Sequence, residues 1–139
     1  MKIKIICITL ILLGVILAIQ PITLADDTTL EIVEVKGSLA SVVVSVKNVG
    51  DVTAEKIAVT TSVTGGLFNN IDLTHACTGC SSCGSTLASG EIKVENTAEA
   101  GYLLGIGPIE INVATSASNA DEVTGTYTGF IIGPIIIIN

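Results

Sequence analysis

Along Ala40–Lys47 the residues Ala40, Val42, Val44 and Val46 alternate with Ser41, Val43, Ser45 and Lys47. A period of two puts successive side chains on opposite faces of an extended chain, so one face is apolar and the other mixed, as in a strand with one side on a core. The period returns in Ile57, Val59, Thr61 and Val63, in Ile92 and Val94 set between Lys93 and Glu95, and in Ile109, Ile111 and Val113 set between Glu110, Asn112 and Ala114. No segment after the first thirty residues carries a sustained apolar stripe at helical spacing. That disfavours an α/β enzyme fold and predicts an all-β domain.

Seven strands are expected: Thr29–Lys36, Ala40–Lys47, Ile57–Val63, Ile71–His75, Glu91–Glu99, Ile109–Ala114 and Val123–Ile132. Their spacing is that of a β-sandwich, apart from one gap stretched by a cysteine-containing segment. Asn48-Val49-Gly50-Asp51 reads as a turn, because Asn and Gly tolerate positive φ and Asp closes local turns. Two Gly-Pro-Ile triplets, Gly107–Ile109 and Gly133–Ile135, mark a strand start, a bulge or an edge, since proline cannot donate to a ladder. The closing run Ile135–Ile138 is apolar on both faces. It is expected either to be buried between the sheets or to pair with a second copy, because an uncharged, uncovered edge strand is a pairing site.

The first residues carry a different message. Lys2 and Lys4 precede an apolar run from Ile5 to Ile19, and Pro21 and the small residue Ala25 follow. This is the architecture of a secretory signal peptide, expected to be helical and cleaved after Ala25. The run falls short of the roughly 20 residues that a spanning helix needs. The chain therefore divides into a signal peptide over 1–25 and one domain over 26–139. An uncleaved signal segment is the membrane contact that this reading allows.

Six lysines oppose thirteen acids among 139 residues, giving a net charge of −7, and Arg and Trp are absent. Phosphate backbones repel such a chain, so nucleic-acid binding is excluded. Charged residues make up 14% and apolar residues 49%, which rules against disorder. Any histidine-dependent catalytic machinery would have to use His75, the single histidine.

Val46-Lys47-Asn48-Val49-Gly50-Asp51-Val52-Thr53-Ala54 resembles the Asn-x-Gly-(Asn/Asp)-x-x-Ala turn of CARDB-type, cell-adhesion-related domains of bacteria and archaea. Leu87-Ala88-Ser89-Gly90-Glu91 resembles the Leu-x-x-Gly-Glu step of the same family. Gly105–Ile109 and Gly129–Pro134 are similar to segments of its single-domain archaeal relatives. The resemblance covers nearly all of residues 28–139. It implies a seven-stranded, immunoglobulin-like extracellular sandwich that acts as a surface, spacer or interaction module, and it brings no catalytic residues. A cysteine loop and the solitary domain depart from the family pattern.

His75-Ala76-Cys77-Thr78-Gly79-Cys80-Ser81-Ser82-Cys83 packs four potential ligands into nine positions. Three thiolates and an imidazole suit Zn²⁺ or Cu⁺. The competing reading is a disulfide, Cys77–Cys83 being the less strained choice, because exported chains meet an oxidising exterior. Three cysteines remain after Cys7 is removed, and an odd number leaves one free, metal-bound or paired with another chain. The segment is small and polar, and is expected to form an exposed loop with His75 solvated at a strand end. Asp26-Asp27 and Asp121-Glu122 are too few oxygens for a calcium loop. Asp72, His75 and Cys77 suggest a nucleophile arrangement, which requires geometry to test.

The sequence thus reads as a secreted or cell-surface interaction and adhesion module, not an enzyme and without a cofactor. Its partner is a protein or cell-surface component, or a second copy bound through the C-terminal strand. A metal or thiol-redox protein built on His75, Cys77, Cys80 and Cys83 is the alternative, and a self-assembling surface subunit a third. Export predicts a mature terminus at or near Asp26. Intact-mass measurement on the native protein checks this, and retention of Lys2 through Ala25 contradicts it.

Overall fold

The computed structural model describes residues 28–78 and 86–139. The expected leader over 1–25 lies outside them, as do Cys7, Cys80 and Cys83. Ten strands follow in chain order: β1 (Leu30–Ser38), β2 (Ser41–Asn48), β3 (Ala54–Glu55), β4 (Ala58–Gly65), β5 (Ile71–Thr78), β6 (Thr86–Leu87), β7 (Ile92–Asn96), β8 (Gly105–Ala117), β9 (Ala120–Gly133) and β10 (Ile135–Ile138). Among the described residues no helix is long and apolar enough to cross a membrane.

The strands form three antiparallel sheets with the orders β1-β2-β7, β10-β9-β8-β4-β5 and β3-β6. Leu30, Val42, Val44 and Val46 of the three-stranded sheet share one core with Val59, Val63, Ile111, Val113 and Ile131 of the five-stranded sheet. The two larger sheets therefore pack face to face, each contributing its apolar period-two face. Each of the seven expected segments contains a strand, but the one expected over Glu91–Glu99 ends at Asn96 and gives way to a 3-10 turn at Thr97–Glu99. β10 is the C-terminal strand expected over Ile135–Ile138, whereas β3 and β6, two residues each, are too short for a periodicity argument.

β8 and β9 are longer than their alternation suggested, spanning 13 and 14 residues. The added residues are Gly105–Pro108 and Thr115–Ala117 in β8 and Ala120–Glu122 and Gly133 in β9, which lie along the β8–β9 ladder, so strand pairing continues beyond the apolar alternation. Pro108 sits inside β8, but β4 pairs with β8 only as far as Gly65 opposite Ile109. The Gly66 amide then donates to the Pro108 carbonyl at 2.7 Å. Proline's missing donor falls where the neighbouring strand has turned away, so no ladder bond is lost. Gly133 and Pro134 make the tight connection from β9 to β10, with Ile132 opposite Ile135.

The β10 edge is covered. An isolated bridge joins Leu39 to Ile135, and the Ala40 amide donates to the Pro134 carbonyl at 2.7 Å. β1 lies so close to β10 that a Cβ on Gly37 would collide with the Ile136 carbonyl, which explains glycine there. Ile136 points into the core, while Ile135 and Ile137 point out. The last strand thus closes one side of the domain and displays half of its isoleucines.

Asn48 organises one end. Its Oδ1 accepts from the Thr28 hydroxyl at 2.7 Å and the Gly50 amide at 3.0 Å, and its Nδ2 donates to the carbonyls of Val52 at 2.7 Å and Leu87 at 2.9 Å. Its backbone N–H donates to Glu91 O at 3.1 Å, and its carbonyl accepts from Gly90 N at 2.8 Å. The Ser89 hydroxyl also donates to the Gly50 carbonyl at 2.7 Å. The two turns that carry the family resemblance therefore dock on each other through a fully buried amide. Gly50 is required because a Cβ would strike Thr28 and the Thr29 amide. Asn48→Ala strands two carbonyls, an amide and a hydroxyl, and is expected to cost at least about 2 kcal/mol in denaturant unfolding. Asn48→Asp is expected to fail as a substitute, because it cannot donate to Val52 and Leu87.

Candidate functional site

His75 and Cys77 stand two apart on β5, and both face inward, with 7% and 1% exposure. Neither belongs to a solvated loop. β5 continues to Thr78, and Cys77 pairs with Val59 of β4, so the strand runs three residues past its expected end. Pairing with β4 and burial against the core override the polar character of the segment. Cys77 is disulfide-bonded, and its partner lies outside the described residues. A sulfur held in a disulfide is not available as a thiolate ligand or nucleophile. Asp72 points outward from β5, on the face opposite His75, so the Asp72–His75–Cys77 arrangement does not assemble. Asp121 and Glu122 are exposed, and Asp26 and Asp27 lie outside the described residues.

What faces His75 comes from the other sheet. β5 is the edge of the five-stranded sheet and β7 the edge of the three-stranded sheet. β7 is inverted relative to ordinary amphipathic expectation: Ile92 and Val94 are exposed, Val94 at 61%, whereas Glu95 is buried at 6% and Lys93 is half-buried. The register explains the inversion. Lys93 lies opposite Val46 and Glu95 opposite Val44, so both share the inward face of β2. Inward-pointing charge is one way in which proteins protect an edge strand.

Lys93 Nζ lies 2.9 Å from Glu95 Oε1, and His75 Nε2 lies 3.6 Å from Glu95 Oε2. The second separation is too long for a hydrogen bond. His75 Nε2 is buried without a hydrogen-bond partner among the described residues. Glu99 completes the group from the 3-10 turn Thr97–Glu99 that follows β7. Side-chain bonds anchor that turn, the Val42 amide donating to Thr97 Oγ1 at 2.9 Å and the Ala98 amide to Asn96 Oδ1 at 3.0 Å, and the Ala100 and Gly101 amides donate to the Thr97 carbonyl at 3.0 and 3.2 Å. One ligand atom from each of His75, Glu95 and Glu99 lies within 4.8 Å of the others. Sequence reasoning singled out His75 but neither glutamate nor Lys93. The alternation of Ile92 and Val94 with Lys93 and Glu95 was visible, but a period of two does not say which face is the inner one.

A second feature lies at the other edge of the five-stranded sheet. Ile106 and Pro108 of β8, Phe130 and Ile132 of β9, and Ile135 and Ile137 of β10 all point outward. Ile106 lies opposite Ile132, Pro108 opposite Phe130, Ile135 opposite Ile132 and Ile137 opposite Phe130, so the six form one contiguous patch. Scattered exposed apolar residues are ordinary, but a contiguous strip on one sheet face is the signature of a contact surface.

No protein-family model matches the chain, and no curated protein does. Among solved structures it is similar to the archaellum periplasmic stator protein FlaG from Sulfolobus acidocaldarius, with a TM-score of 0.46 and 19% identity over 71% of this chain and 98% of that one.

The disulfide at Cys77 predicts the thiol content. Three cysteines remain in a chain that begins at Asp26, so thiol titration of denatured, unreduced protein is expected to find one thiol per chain. Cys77→Ala is expected to be tolerated better than Cys77→Ser, by about 1–3 kcal/mol, because the serine would bury a hydroxyl among apolar neighbours. Paired unfolding curves check this.

Proposed function

We propose that this chain is a secreted or cell-surface, immunoglobulin-like interaction module of the CARDB type, non-catalytic, which associates with a second copy of itself. The outward patch of Ile106, Pro108, Phe130, Ile132, Ile135 and Ile137 carries the reading. Export and cleavage would leave four lysines against thirteen acids, so two copies repel over most of their surface. The patch contains no charge, and is therefore where a second acidic chain approaches at least electrostatic cost. A self-complementary patch needs no other partner to form a closed two-fold contact.

The cell-adhesion family reading rests on the two motif turns, which Asn48 joins into one buried network. Export is supported by the disulfide at Cys77, a bond that persists in oxidising compartments. Cys77 also weighs against the three-thiolate metal alternative, since it has no free thiolate to offer.

Sedimentation of the purified protein tests the proposal. A dimer or larger closed assembly is expected for the natural chain, and a monomer for Ile132→Asp, whose side chain faces solvent and leaves the core intact. Unchanged circular dichroism in the variant confirms its fold. A natural chain that stays monomeric at high concentration, or an Ile132→Asp chain with undiminished mass, refutes self-association through this face.

A further inference from the structure

We infer that His75, Glu95 and Glu99 form a binding site for a first-row divalent metal ion, Zn²⁺ by the chemistry of the donors, which ties the edge of one sheet to the edge of the other. The site shares no residue with the outward patch. It stands at the β5 side of the five-stranded sheet, whereas the patch lies at the β10 side.

Geometry is the first support. Two ligands about 2.0–2.2 Å from a tetrahedral zinc ion are about 3.4 Å apart. His75 Nε2 and Glu95 Oε2 lie 3.6 Å apart, beyond hydrogen-bond distance but close to that ligand separation. Glu99 brings a second carboxylate, one ligand atom of which lies within 4.8 Å of a ligand atom of His75 and of Glu95.

The second support is the unsatisfied nitrogen. A buried imidazole nitrogen without a partner costs free energy, and the described residues offer His75 Nε2 none. Protection of the β7 edge explains why Lys93 and Glu95 turn inward, but it does not explain His75. A cation between the imidazole and the two carboxylates satisfies the nitrogen lone pair and meets the charge of Glu99 and the Glu95 oxygen that Lys93 does not hold.

Lys93 then has a definite role. It holds Glu95 by Oε1 at 2.9 Å, leaving Oε2 directed at His75. A ligating carboxylate steadied through its other oxygen is the usual outer-shell arrangement. Glu99 is exposed, so the ion has a route from solvent and water can fill the fourth position. The donor set selects the metal. One imidazole nitrogen and two carboxylates are too few oxygens for Ca²⁺ and lack the soft sulfur that Cu⁺ prefers, whereas Zn²⁺ accepts both atom types.

Calorimetric titration of the exported protein, stripped with chelator and with its disulfide intact, tests the site using Zn²⁺ alone. One ion per chain and a raised melting temperature are expected. His75→Gln is expected to abolish binding. Glu99→Gln is expected to weaken binding while leaving the metal-free melting temperature unchanged, because Glu99 is exposed and outside the core. Lys93→Met is expected to weaken it about tenfold. Absence of stoichiometric Zn²⁺ binding, or full affinity in Glu99→Gln, overturns the inference. Loss of binding when the remaining thiol is alkylated, with full affinity in His75→Gln, also overturns it and places the ion on the cysteine segment.

Discussion

The side-chain amide of Asn48 is the interaction on which one end of the domain depends. Its four side-chain hydrogen bonds and two backbone bonds connect Thr28 before β1, the turn after β2 and the turn before β7. Each partner is a backbone or hydroxyl group that burial would otherwise leave unsatisfied. Satisfying all of them from one residue lets the chain reverse direction there without opening the core to water. The same network fixes where β7 begins, since Glu91, just before Ile92, accepts from the Asn48 amide. β7 in turn sets the inward face from which Lys93 and Glu95 project.

A two-sheet domain has exposed edges, and this one treats its two sides differently. On one side β1 and β10 approach so closely that only a residue without a Cβ fits at Gly37, and a bridge at Leu39 completes the closure. On the other side, among the described residues, β5 and β7 do not pair, and His75, Glu95 and Lys93 lie between them. Apolar packing at that position would leave two bare strand edges facing solvent, an invitation to unspecific pairing. Charge placed inward prevents that, and its consequence is a set of metal-ligating atoms held in a protected place.

Most of the strand pattern was legible in the sequence, because Val42, Val44 and Val46 or Ile109, Ile111 and Val113 leave little choice of conformation or face. The turn after Asn48 was legible from its residue types, although neither Asn48 nor Gly50 has a positive φ and the Asn48 side-chain amide is what holds it. β7 was not. Its alternation is as regular as that of β2, but the apolar set points outward, and the register against β2 that decides this is a long-range fact. Cys77 was misplaced on the same account: Thr78, Gly79 and Ser81 read as loop, while the chain through Thr78 is strand because β4 supplies a partner as far as Ala58. The three-residue metal set was invisible because His75 and Glu95 are twenty positions apart and meet only across two sheet edges.

Charge then limits what these surfaces can accept. Among the described residues, Lys36 pairs with Glu34 and Lys93 with Glu95, while Lys47 and Lys56 form no ion pair there, against an excess of acids. Such a surface repels phosphates, nucleic acids and acidic proteins through the long-range field before any contact forms. Two kinds of ligand escape that repulsion: an uncharged surface, which the field does not sense, and a cation, which it attracts. The outward strip on β8, β9 and β10 is free of charge, and the cluster between β5 and β7 presents two carboxylates and an imidazole nitrogen. The proposed self-association and the proposed cation site are both compatible with that charge balance.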